Sequence, residues 1–185
     1  GKEIKKWTPG TIIVLVVGVL VAYFITTLPP SENVDSLPFL LLSGALAVCA
    51  MILPGISGAF ILVLLGSYKT ILDAVHSRNI TVVLTVAVGA VVGLLSFARL
   101  LKWMFKNYHN LTLALLTGFI IGSLNKIWPW KRILEIRAYG EKEVIIDTNT
   151  SPLTYEGDPQ ILWAVVMALV GFCLIFILEK SASKK

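Results

Sequence analysis

The sequence predicts an all-α polytopic membrane protein. About four transmembrane helices, one re-entrant helical hairpin at residues 36–73 and a small extramembrane β-hairpin-like insertion at 131–159 make up one integral membrane domain over 1–185. Three observations carry this. Of the 185 residues, 56% are hydrophobic and 15% charged, with a mean hydropathy of +0.83; a soluble domain carries roughly 45–50% and about 25%. The 16 basic and 11 acidic residues leave five long uncharged stretches, at 8–31, 36–68, 79–98, 107–125 and 159–178. Finally, a helix needs about 20 apolar residues to cross the hydrocarbon core, and open strands cannot span it because their backbone groups go unpaired. Disordered chains, disulfide-stapled secreted domains and soluble enzymes are excluded.

The first span is Thr11–Leu28, with Trp7 and Tyr23 as interface anchors and Pro29-Pro30 as its stop. Glu32 and Asp35 mark a short polar loop after it. Asn79–Ala98 and Asn110–Trp128 form two further spans, joined by the basic linker Arg99–His109, and Gln160–Leu178 forms the last. Between those last two, Arg132–Ala138 and Glu143–Asp147 are rich in β-branched residues around a Gly140 turn, which reads as a hairpin followed by a loop from Asp147. Gly89/Gly93 and Gly118/Gly122 are small-residue pairs that allow close helix packing. The net charge of +5 sits at helix ends (Lys5, Lys6, Lys102, Lys106, Lys180, Lys184, Lys185), where it faces anionic headgroups. Nothing forms a basic stripe away from those ends, so no nucleic-acid partner is expected. Cys49 and Cys173 lie in apolar runs without metal-ligand spacing. No metal and no cofactor are expected.

The informative stretch is Ser36–Tyr68. As continuous helix its 33 residues would reach about 50 Å, far beyond the membrane core. Its middle reads Met51-Ile-Leu-Pro54-Gly55-Ile56-Ser57-Gly58, where Pro54 removes a backbone donor and the glycines permit unusual angles. The segment therefore splits into two halves of about 15 residues, each roughly 22 Å long and too short to cross alone. It reads as a re-entrant hairpin with its tip near mid-membrane. Ser57 is placed to cap the second half, and unwound backbone at depth belongs beside protein or a wet cavity. Two readings of the tip stand: an anion cradle of free N–H groups, or a proline–glycine kink that only packs helices. Arg99, the first charge after the third stretch, either snorkels at the interface or turns inward toward an anionic headgroup. Asn125 and Lys126 stand similarly at the end of the fourth stretch. No HExxH, P-loop, GxSxG or paired intramembrane carboxylate is present, so no enzyme activity is assigned.

The run from Ala50 through Pro54-Gly-Ile-Ser57-Gly to Tyr68 resembles a signature of bacterial polyprenyl-phosphate transporters of the PopT type. Leu115–Lys131, with Gly118, Gly122 and Trp128-Pro-Trp130, and the Ser96-Phe-Ala-Arg99 stretch are similar to the same family. The resemblance implies a flippase that returns undecaprenyl phosphate between leaflets of the bacterial inner membrane for envelope lipid-carrier recycling. A phosphate cargo fits the anion-cradle reading of the tip, which places it at Pro54, Gly55, Ser57, Gly58 and Arg99, with Asn125 and Lys126 as secondary contacts. Members carry a second Pro-Gly-x-Ser-Gly hairpin in an N-terminal half of inverted topology. This chain resembles the C-terminal half, so the implied partners are that other half or a second copy, besides membrane lipids and the polyprenyl-phosphate cargo. The rival expectation is a non-catalytic membrane subunit or scaffold whose broken helix only packs.

Overall fold

A computed structural model describes residues 7–31, 33–139 and 142–182, with the side chains of 135–139, 142–147 and 182 left aside. Lys5, Lys6, Glu32, the Gly140-Glu141 turn, Lys184 and Lys185 lie outside these residues. The elements run α1 (Pro9–Thr27), α2 (Leu37–Ile52), α3 (Gly58–Leu64), α4 (Tyr68–His76), α5 (Ile80–Asn107), α6 (His109–Ile127), β1 (Lys131–Tyr139), β2 (Lys142–Asn149) and α7 (Ile161–Ala182). Among the described residues, α1, α5, α6 and α7 are each long and apolar enough to cross a membrane. The protein is an all-α polytopic membrane fold with a small two-stranded sheet.

The chain forms two compact units, divided after Ile127. The first holds α1 to α6 and is built from two close, parallel helix pairs. In one, a Cβ added to Gly18 would lie 2.6 Å from the Leu115 carbonyl, and Gly118 and Gly122 abut the Leu15 and Val19 carbonyls. In the other, a Cβ at Gly93 would lie 2.5 Å from the Ala45 carbonyl, and Gly89 abuts that of Leu41. Rising residue numbers on both partners mean that α1 runs parallel to α6, and α2 to α5. The small-residue pairs thus set the packing, though not against each other: α6 uses its pair on α1, and α5 uses its pair on α2.

Local signals start the helices where the sequence places them. Thr8 accepts a hydrogen bond from the Thr11 N–H at 3.3 Å, and Asn79 accepts one from Val82 at 3.4 Å, as N-caps do. The sequence ends the third span at Ala98, but α5 continues through Arg99, Lys102 and Lys106 to Asn107. Charge ended the apolar run without ending the helix, because Arg, Lys, Leu and Met are all good helix formers. Tyr108 alone separates α5 from α6.

The helix between the two pairs breaks at residues 53–57. The first arm is α2, 16 residues long; the return arm, α3, has only seven. Gly66, with φ +69°, ends that arm, and α4 leaves at 106° to it. The sequence reading of two 15-residue halves is corrected there, because Gly66-Ser67 makes a second break. The arms close at their base. Ser43 and Ser67, both fully buried, join through their hydroxyls at 2.8 Å, while the Ser31 and Val34 N–H groups donate to the Leu64 and Gly66 carbonyls. The Thr70 hydroxyl donates to Asp35 at 2.7 Å. The end of α3 is therefore held beside the start of α2.

The second unit holds the sheet and α7. β1 and β2 pair antiparallel from Lys131↔Asn149 to Tyr139↔Lys142, with an irregularity between Ile133 and Glu135. β2 runs two residues beyond Asp147, so the following loop starts at Thr150. That loop is pinned by Trp128 Nε1 donating to the Thr150 carbonyl and Trp130 Nε1 donating to that of Pro159, both at 2.8 Å. Arg132 pairs with Glu156 on the surface.

Candidate functional site at the helix break

Pro54 denies the α2 ladder a donor, and Gly55 takes φ +92°, a left-handed conformation that side chains disfavour. This turn is wedged against α6: a Cβ at Gly55 would collide with the Ser123 side chain and approach the Phe119 carbonyl to 3.2 Å. Ile56, next in the chain, is buried in a cluster with Ala22 of α1, Ala50 of α2 and Phe119 of α6. Apolar burial of Ile56 thus anchors the tip, while Gly55 and Ser57 on either side stay exposed. Gly58 is buried, a Cβ there being 2.6 Å from Met51 Cγ and 2.7 Å from the Ala47 carbonyl.

The tip meets the C-terminal half of α6. Phe119 and Ser123 lie eight and four residues before Ile127, its last residue, roughly 12 and 6 Å from that end at about 1.5 Å per residue. Ala22 likewise lies inside α1. Ser57 holds the N-cap position of α3, as expected, but its side chain makes no capping hydrogen bond. The N–H groups of Gly58, Ala59 and Phe60 have no intrahelical acceptor, and no other group among the described residues accepts from them. Seven residues give α3 only about two turns, so its dipole is slight, and the chemistry of the break rests on these backbone donors, the Ser57 hydroxyl and nearby charge.

Two cations are relevant, and the structure separates them. Lys126, in the last turn of α6, holds Nζ 5.2 Å from the centroid of the Phe60 ring, in the first turn of α3. It stands exposed beside the break, with half-buried Asn125 before it. Arg99 is exposed on α5, and among the described residues no hydrogen bond or ion pair joins it to the break. It lies six residues beyond Gly93, whose carbonyl accepts from Cys49 Sγ at 3.7 Å near the end of α2. The structure brings Pro54, Gly55, Ser57, Gly58 and Lys126 together and does not join Arg99 to them. Sequence reasoning did not single out Phe60 or Ser123. Their signal was faint: an aromatic two residues past Gly58, and a small residue one past Gly122.

The arrangement offers unpaired N–H donors, one hydroxyl and a cation, with no carboxylate in the cluster. It suits an anion and contains no acid–base pair for covalent chemistry. No group of His, Cys, Asp and Glu suited to a metal occurs among the described residues.

A family model described as undecaprenyl phosphate translocase-like matches residues 1–145. A protein named polyprenyl-phosphate transporter from Vibrio cholerae serotype O1 (strain ATCC 39315 / El Tor Inaba N16961) is 40% identical over 189 residues, covering 99% of this chain and 61% of the relative. One of the same name from Staphylococcus aureus (strain NCTC 8325 / PS 47) is 29% identical over 94 residues, 48% of this chain and 33% of the relative. The chain therefore spans less than two thirds of the length of these relatives. No solved structure matches.

Proposed function

The chain belongs to the undecaprenyl phosphate translocase-like family, and on that footing we propose that it seats the phosphate of a polyprenyl phosphate at the helix break and takes part in moving that lipid between leaflets. The carrying observation is the break itself: exposed Gly55 and Ser57, free N–H groups and an exposed lysine, packed against the C-terminal half of a membrane-length helix. Unwound backbone within a membrane is tolerated where it lines protein or a wet cavity, and broken helices of this kind hold anionic substrates in transporters. Gly55, Ser57 and Gly58 supply backbone and hydroxyl donors around the turn set by Pro54. Lys126 supplies the adjacent charge, Asn125 flanks it, and Arg99 on α5 is a further cation that the headgroup could recruit. The polyprenyl tail would remain in lipid beside the exposed apolar faces of the bundle. Recycling of the carrier across a bacterial inner membrane, without chemical conversion, is the role this reading favours. The remaining length seen in the relatives, or a second copy, would supply the facing half.

Purified in mild detergent, the chain should retain a polyprenyl phosphate detectable by native mass spectrometry. Lys126→Met and Ser57→Ala should each reduce retention, by about three- to tenfold for the charge, less than a buried charge-assisted hydrogen bond because Lys126 is exposed to solvent. Retention unchanged by Ser57→Ala, Arg99→Ala and Lys126→Met alike would remove the site. A second reading has one observation behind it, the burial of Ile56 in the Ala22–Ala50–Phe119 cluster. In that reading the break is only a packing device, and substitutions there alter stability while lipid retention stays constant.

A further inference from the structure

We propose that Phe60 is a positioning residue for the lipid phosphate, holding the Lys126 ammonium at the helix break without neutralising it; this rests on the reading of the break as the phosphate seat. The two residues belong to α3 and α6, far apart in sequence, and meet only because Gly55 nests against Ser123 one turn before Lys126. The Nζ lies 5.2 Å from the ring centroid, inside the roughly 6 Å at which an ammonium is held by an aromatic face. Phe60 is half-buried and fixed by its helix, whereas Lys126 is exposed and would otherwise spread over many rotamers. Among the described residues no carboxylate pairs with Lys126.

That combination has a consequence for an anion. A carboxylate partner would also fix the lysine, but it would cancel the charge and compete with the phosphate. An aromatic face attracts the ammonium through its quadrupole and leaves the full positive charge in place. An ammonium has three N–H donors, so one side can rest on the ring while the others meet phosphate oxygens. Phe60 therefore lowers the entropy cost of ordering the lysine and leaves its donors available.

The full chain in phosphatidylcholine nanodiscs, titrated with undecaprenyl phosphate, tests this. Phe60→Leu keeps an apolar side chain and removes the π face, whereas Phe60→Trp keeps the face. Phe60→Leu and Lys126→Met should each weaken binding about three- to tenfold, Phe60→Trp should stay within about twofold of the parent, and Phe60→Leu/Lys126→Met should be no weaker than Lys126→Met alone. Binding by Phe60→Leu as tight as the parent or tighter, or single losses that multiply in the double variant, overturns the proposal. If Lys126→Met itself binds as the parent does, the phosphate reading fails at that residue; if only Phe60→Leu is silent, the positioning role fails and the seat stands. Should Phe60→Leu not fold, the parent and Phe60→Trp decide by NMR. Lys126 ε-methylene protons shifted upfield by the ring, and shifted differently under Trp, support the contact; random-coil positions in both overturn it.

Discussion

At Gly55 the backbone sits at φ +92° with the Ser123 hydroxyl where a Cβ would go. A side chain there meets strain and collision together. Gly55→Ala should lower the unfolding free energy by about 1–3 kcal/mol, read as a lower thermal midpoint, while Ala59→Ser, exposed in the next turn, should leave it near the parent value. An unchanged midpoint for Gly55→Ala would mean that the turn is not held as described. Pro54 and Gly55 were legible because their backbone chemistry is local. Lys126 over Phe60 was not, because tertiary packing makes that pair and neither residue is unusual in its own segment. Arg99 drew attention as the first charge after an apolar run, yet among the described residues nothing joins it to the break.

Among the elements, α5 and the hairpin arms show where linear reading stopped. The charges at Arg99, Lys102 and Lys106 closed the apolar window, but α5 keeps its ladder to Asn107 because a charged helix beyond the core is still a good helix. The return arm reads as one long apolar half. Gly66 cuts it to seven residues, and α4 departs at 106°. The signal was present in Gly66-Ser67, weaker than Pro54-Gly55 because no proline accompanies it. The close pairing of α2 with α5 depends on Gly89 and Gly93 abutting carbonyls of the facing helix. Gly89→Leu should therefore push the helices apart and lower stability by about 1–3 kcal/mol or more. Val88→Leu, next to it on an exposed face, should change stability by less than about 0.5 kcal/mol. Differential scanning fluorimetry of both variants in one detergent separates packing from hydrophobicity, and equal midpoints would contradict the pairing.

For the molecule as a whole, composition was sufficient to place the chain in a membrane, and the uncharged stretches gave its four long helices. What the stretches could not reveal was that the broken segment closes on itself through Ser43, Ser67 and the Ser31 and Val34 N–H groups, since those contacts join residues whose spacing has no period. That closure holds the end of α3 beside the start of α2 and leaves the tip against the C-terminal half of α6. The central claim is that this tip holds a lipid phosphate inside the membrane and is reached from one side. Membrane-impermeant thiol labelling of Ser57→Cys, with Cys49 and Cys173 replaced by Ala, tests it most directly. The cysteine should be modified from the same face as a reference cysteine at Ser36, and added undecaprenyl phosphate should protect it where undecaprenol does not. Labelling only from the opposite face, or equal labelling with and without the phosphorylated lipid, would contradict it.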